Sequence, residues 1–186
     1  MTHRPVSDLP VFKYHPDPVV TGSFIPSDTM CRACEFQTGW IYIGPTYSQE
    51  ELDEAICPWC IADGTAHEKF NVEFLDPPAL GDYGSWSPVP QSVLEEICYR
   101  TPAFNGFQQE RWFTHCNDGA IFLGCAGKSE LENLGSEAIE TIKLESGYTD
   151  EEWEDYFSQM DKDFGPTAYL FRCCHCGTLG GYSDCA

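Results

Sequence analysis

Cys31-Arg32-Ala33-Cys34-Glu35-Phe36-Gln37-Thr38-Gly39-Trp40-Ile41-Tyr42-Ile43-Gly44 is the stretch that decides the fold. A Cys-x2-Cys loop aims two sulfurs at one point, and Gly39 to Gly44 reads as a short strand closed by Gly44-Pro45. A second pair, Cys57-Pro58-Trp59-Cys60, follows after 22 intervening residues. Four thiolates in two such pairs suit a tetrahedral zinc ion with no open position, hence a structural one. A rubredoxin-like iron site would use the same donors. Cys57 to Cys60 also has the spacing of a thioredoxin-like redox motif, which sits after a strand at a helix N-terminus. Here Glu50 to Ile56 reads as an acidic helix, with Ser48 and Glu51 as a capping box and Leu52, Ala55 and Ile56 on one face. That context favours metal over redox chemistry.

The first pair has an echo. Cys31-x2-Cys34-x4-Gly39-Trp40 recurs as Cys173-x2-Cys176-x4-Gly181-Tyr182 with identical spacing, which predicts two similar knuckles, each leading into a strand. The second knuckle lies close to residue 186, so its other ligands come from upstream or from Cys185 or Asp184. Cys116, Cys173 and Cys176 are the expected three ligands. His115 is the foremost fourth, with Cys185, His175 or water as alternatives, because adjacent residues rarely reach one ion comfortably. Three protein ligands plus water would make a Lewis acid able to activate that water. A thiol nucleophile at Cys116 beside His115 is the weaker catalytic version. Of the eleven cysteines, Cys98, Cys125, Cys174 and Cys185 are left as spare thiols.

Composition narrows the classes. Ten Lys and Arg stand against 30 Asp and Glu, a formal charge of -20. A nucleic-acid binder needs a basic face and an anionic membrane attracts one, so neither nucleic acid nor membrane is an expected partner. No signal-like apolar run and no stretch of 18 apolar residues is visible, so a cytoplasmic, reducing location is expected, where paired cysteines bind metal more often than they form disulfides. Residues 128–163 hold 12 acids and 3 bases. They form either a solvated helical face or a docking surface for a basic protein.

Along the chain, residues 1–27 are proline-rich and read as extended. Helices are expected at 65–70, Gln91 to Arg100, 136–145 and 150–162. The last opens on a Thr149/Glu152 capping box and carries Trp153, Tyr156, Phe157 and Met160 at helical spacing. Strands are expected at Ala120 to Gly124 and Tyr169 to Arg172. Residues 75–90 read as loop. His67 is expected to be exposed. Tyr14 to Pro18 reads as a proline-fixed segment packed across the domain. Gln108-Gln109-Glu110-Arg111-Trp112 reads as a surface turn that could instead line a pocket beside the second metal site.

Leu9-Pro10-x-Phe12-x-Tyr14-His15-Pro16-Asp17-Pro18, Cys57-Pro58-Trp59-Cys60-Ile61-Ala62-Asp63-Gly64, Arg100-Thr101-Pro102, Gln108-Gln109-x-x-Trp112-x-x-His115-Cys116 and Leu170-Phe171-Arg172-Cys173-x-x-Cys176-Gly177 together resemble the CbrC family over residues 9–186. The resemblance implies a bacterial protein with no assigned reaction, and the family's name is linked to colicin tolerance.

The expected fold is therefore α+β, a small zinc-stabilised domain with zinc-ribbon or treble-clef-like knuckles between short strands and helices. An N-terminal four-cysteine module, about 28–70, is expected to pack on a C-terminal α+β part, about 71–186. The expected function is non-enzymatic zinc-stabilised protein binding. The partner would be a basic protein such as a nuclease toxin, neutralised through the acidic surface. A zinc-dependent hydrolase at His115, Cys116, Cys173 and Cys176, with Glu110 or Asp118 beside a metal-bound water, is the alternative.

Overall fold

The computed structural model describes residues 4–185. The expectation of an extended segment over 1–27 also covers residues 1–3, which lie outside the described residues. The fold is mixed α+β, and the described residues form two antiparallel sheets and six α-helices.

The N-terminal sheet is a hairpin of β1 (Phe24–Met30) and β2 (Gln37–Tyr42), joined by the Cys31–Cys34 knuckle. β1 lies partly in the stretch 1–27 expected to be extended, and its Pro26 is tolerated because an edge strand accommodates proline. Two short helices follow, α1 (Pro58–Ala62) and α2 (Thr65–Phe70), the second as predicted. Phe24, Trp40, Tyr42, Leu52, Ile56, Ile61, Val72 and Phe74 bury one hydrophobic cluster around Cys31, Cys57 and Cys60.

The predicted helix over 48–56 does not form. Its apolar residues Leu52, Ala55 and Ile56 are buried, but its backbone pairs elsewhere. Arg32 N donates to Ala55 O at 2.8 Å, and Tyr42 N donates to Ile56 O at 2.9 Å. The Ser48 hydroxyl serves Glu50 N and Phe70 O rather than a helix end. Tertiary pairing with the knuckle and β2 thus outcompetes a weak local helix. Cys57 consequently follows an extended segment and takes the N-cap position of α1. The local context of Cys57 is therefore the one a redox motif would have, contrary to expectation, and it is the convergence of Cys31 and Cys34 on the same point that favours metal.

α3 (Gln91–Arg100) has the predicted bounds and buries Ile97 and Cys98. The second sheet runs β3 (Thr114–His115), β4 (Asp118–Ala126), β5 (Thr167–Cys173) and β6 (Leu179–Asp184) in that spatial order, all antiparallel. It is covered on both faces, and the period-two alternation of a strand divides β5 between them. Tyr169 and Phe171 face a cluster with Phe104, Trp112, Phe122 and Tyr182, while Ala168 and Leu170 face Leu131, Ile142 and Trp153. Those last three come from α4 (Lys128–Leu134), which was not foreseen, α5 (Ser136–Ser146) and α6 (Asp150–Gln159). The Thr149/Glu152 capping box is present, and Trp153 and Met160 are buried as the stripe requires.

Several local expectations change. His67 is half-buried, its ring stacked on Tyr99 at 3.8 Å. Glu110 and Trp112 are buried rather than on a surface turn. The Glu110 carboxylate accepts from the Tyr47 hydroxyl at 2.9 Å and from Gly106 N at 3.2 Å, so its partners come from the chain preceding β3 and not from the second knuckle. The Tyr14–Pro18 segment does pack across the molecule, and His15 is fully buried between Phe122 and Trp112.

Candidate metal centres

The two knuckles share one backbone. In the first, Cys31 N donates to Phe36 O at 3.0 Å and Glu35 N donates to Cys31 O at 2.8 Å. In the second, Cys173 N donates to Thr178 O at 2.9 Å and Gly177 N donates to Cys173 O at 3.2 Å. The residue after the second cysteine is left-handed both times, Glu35 at φ 62° and Gly177 at φ 77°. Each loop therefore closes a hairpin, β1–β2 or β5–β6, and folds its amides under its own sulfurs.

The remaining donors arrive differently. At the first centre Cys57 and Cys60 come from the first turn of α1, so a hairpin knuckle faces a helix start, a treble-clef-like arrangement. At the second centre His115 and Cys116 come from the tight turn between β3 and β4, so two hairpin turns face each other, as in a zinc ribbon. Adjacent residues can converge there because Cys116 and Asn117 occupy the left-handed region, φ 55° and 59°. That is the two-residue turn with positive φ at both positions, which suits the twist of paired strands. The reversal of the chain at Cys116 puts its sulfur 3.2 Å from His115 Nδ1.

Cys31, Cys34, Cys57 and Cys60 place their four sulfurs within 4.8 Å of one another, and His115, Cys116, Cys173 and Cys176 do the same with three sulfurs and an imidazole nitrogen. A tetrahedral ion with metal–sulfur bonds of about 2.3 Å has sulfurs about 3.8 Å apart. The Cys34–Cys57 and Cys116–Cys176 sulfur pairs are each 3.9 Å apart. Both clusters are thus shaped to hold a metal ion with four protein donors. Cys185, an alternative fourth ligand from sequence, instead accepts from the Gln108 side chain through its carbonyl. His175, the other alternative, turns its Nε2 to Asp118 Oδ2 at 3.0 Å.

Without an ion the clustered thiols share protons unevenly. Cys57 donates a hydrogen bond that pulls the Cys31 thiol down to about 4, against burial and with help from amides of the two Cys-x-x-Cys turns, while the same bond pushes the Cys57 thiol up and burial pushes Cys60 up. Cys57 N lies 3.3 Å from the Cys31 sulfur. At the second centre His175 N lies 3.4 Å from the Cys173 sulfur. The first cluster is largely buried, whereas Cys116 and Cys176 are exposed.

Sequence reasoning missed how far the second cluster is braced. Asp118, two residues past Cys116, accepts from Tyr14 at 2.6 Å, Lys13 at 3.0 Å, Gly119 N at 2.8 Å and His175. Burial pushes this carboxyl up, but those hydrogen bonds and Lys13 outweigh it and hold it below its ordinary range. The network ties the knuckle to the β3–β4 turn and to the N-terminal segment. Nothing in the spacing of Lys13, Tyr14, Asp118 and His175 announces that they meet.

Fold and clusters together define an α+β protein with two thiolate-rich, four-donor clusters. The chain belongs to the uncharacterised protein family UPF0167, whose model matches residues 9–185. It is 43% identical to the UPF0167 protein Mb2317 of Mycobacterium bovis, over 96% of this chain and 94% of that protein. It is 37% identical to the UPF0167 protein PA1536 of Pseudomonas aeruginosa, over 91% of this chain and 93% of that protein. No solved structure matches it significantly.

Proposed function

We propose that both clusters hold structural zinc and that the protein works by binding a basic protein partner through its acidic surface. The convergence of four protein donors at each cluster carries the first half. A sulfur-rich tetrahedral set suits zinc, and four protein ligands leave no position for a reactive water. The hydrolase alternative needs such an open position at the second cluster. It also loses Glu110, which is engaged by Tyr47, while both Asp118 oxygens are already accepting hydrogen bonds. Each ion would staple one hairpin, the first to the N-terminal cluster and the second to the end of the four-stranded sheet. Zinc binding of this kind contributes on the order of 10 kcal/mol of folding free energy per site. Accordingly, chelation or Cys57→Ser is expected to unfold the N-terminal half. Unchanged thermal melting after verified metal removal would contradict that.

The second half rests on charge. Residues 128–163, which contain α4, α5 and α6, carry 12 acids against 3 bases, and zinc-bound thiolates deepen a formal charge already at -20. Complementary charge accelerates docking of a basic partner. The resemblance to the CbrC family, with its link to colicin tolerance, makes a nuclease toxin the specific candidate, since nucleases present basic phosphate-binding surfaces. The test is inhibition of a panel of purified basic nuclease toxins, with protection of cells that co-express them. Stoichiometric inhibition that weakens when Glu137, Glu140 and Glu151 are changed to Lys is expected. Absence of binding to every basic protein tried, with no protection, would overturn it.

A further inference from the structure

The two clusters differ most in what covers them. At the first, Cys31, Cys57 and Cys60 are buried and Cys34 is half-buried. At the second, Cys173 is buried and His115 half-buried, while Cys116 and Cys176 are exposed. The two exposed sulfurs are neighbours, 3.9 Å apart. They sit on the β3–β4 turn and the β5–β6 turn, which face each other. A Cβ added at Gly177, next to Cys176, would meet no atom within 4 Å, so this rim is open to small molecules. A disulfide holds its sulfurs about 2 Å apart, so the pair needs a further approach of only about 2 Å. Accessible thiolates with a second thiol alongside are the ones that oxidise selectively.

The second cluster also has ties that need no ion. Asp118, at the start of β4, accepts from His175 of the second knuckle at 3.0 Å and from Lys13 and Tyr14 of the N-terminal segment. The Cys174 thiol, outside the donor set, donates to Gly119 O at 3.3 Å and again joins the knuckle to β4. Behind these contacts β4 pairs with β5, and β5 with β6. Emptying this centre therefore leaves the two turns apposed and the four donors close enough to be refilled.

We propose that Cys116 and Cys176 are a peroxide-oxidised pair whose disulfide empties the second centre reversibly while the first stays filled. The inference rests on the reading of both clusters as zinc centres and adds a modification site to it. First, one exposed thiolate attacks the O–O bond of hydrogen peroxide, becomes a sulfenic acid and expels hydroxide. The other thiolate then attacks the sulfenic sulfur, forms the S–S bond and expels a second hydroxide. Two protons from solvent convert both hydroxides to water. The sulfurs have lost two electrons and the peroxide has gained them. His115 and Cys173 remain as two donors, too few for a closed tetrahedral site. A dithiol reductant restores both cysteines by exchange and is itself oxidised to its disulfide.

The experiment adds about one equivalent of hydrogen peroxide to the full chain, after its zinc content has been measured. Released zinc is read with a chromogenic chelator, and disulfides are mapped by peptide mass spectrometry. An untreated sample should keep both ions. With peroxide, one ion of the two is expected to be released, with a Cys116–Cys176 cross-link, and release from the first centre should be at least about tenfold slower. Far-UV circular dichroism should be retained, and dithiothreitol with added zinc should restore two ions. Cys185→Ser removes an exposed thiol outside both clusters and should behave as wild type. Release of both ions together, no release, a cross-link elsewhere, or loss that reduction does not reverse would overturn the proposal. Fewer than two zinc ions before peroxide would strike the zinc reading itself, and this inference with it.

Discussion

Cys116 shows how a single backbone conformation decides a site. Adjacent donors such as His115 and Cys116 look mutually exclusive on one ion until the chain reverses at positive φ. Gly181 makes the same point for the strand leading from the second knuckle. A Cβ there would lie 2.1 Å from the Tyr169 carbonyl oxygen, in the paired strand β5, and its φ is 154°. Gly181→Ala is therefore expected to cost about 3 kcal/mol or more in chemical denaturation. Gly177→Ala, at φ 77° with open space around it, should cost about 1 kcal/mol. Equal costs would contradict the close-approach explanation. His15 provides a pH signature. Burial lowers its pKa from 6.5 to about 4, against the pull of the Pro102 carbonyl 2.7 Å away. The folded state keeps the ring neutral while the unfolded chain protonates near 6.5, so this contribution is present above that pH and declines as pH falls from 6.5 towards 4. Between pH 7.5 and 5.5 wild type should lose about 1 kcal/mol more stability than His15→Gln, measured by urea unfolding. Parallel pH profiles would refute it.

Elements with strong local signals were legible in the sequence, and those held by distant partners were not. Gln91–Arg100 and Thr65–Phe70 form helices at the expected bounds, and α6 starts at its capping box. Thr149→Ala removes the hydroxyl that accepts from Glu152 N at 3.4 Å and donates to the Glu152 carboxylate at 2.7 Å. A loss of about 1 kcal/mol is expected from thermal or urea unfolding, and no measurable loss would show that tertiary packing alone holds α6. The 48–56 segment failed for the opposite reason. Its helical spacing is real, but Ala55 and Ile56 give their carbonyls to Arg32 and Tyr42. β1 read only as extended chain up to residue 27, since its pairing with β2 is made at a distance, and α4 is a seven-residue helix held by buried Leu131. The echo of Cys-x2-Cys-x4-Gly was the most informative pattern, because it specified two hairpins with the same hydrogen bonds more than 140 residues apart. The Asp118 network was not legible, since its members meet only after the sheet has formed.

At the scale of the molecule, the described residues form three hydrophobic clusters and two four-donor clusters, in a chain of 186 residues whose charge is -20. Repulsion among so many carboxylates works against compactness, and two ions at the proposed sites, each gathering distant segments, would offset it. Among the described residues no helix is long and apolar enough to cross a membrane. The central claim is that both clusters are closed zinc centres. X-ray absorption at the zinc edge on the purified protein, with metal content measured on the same sample, tests it most directly. Two zinc ions per chain are predicted, coordinated between them by seven sulfurs and one nitrogen and by no oxygen. A single ion, a different metal, or an oxygen ligand at the second centre would contradict the account, and the oxygen would favour the alternative hydrolase reading.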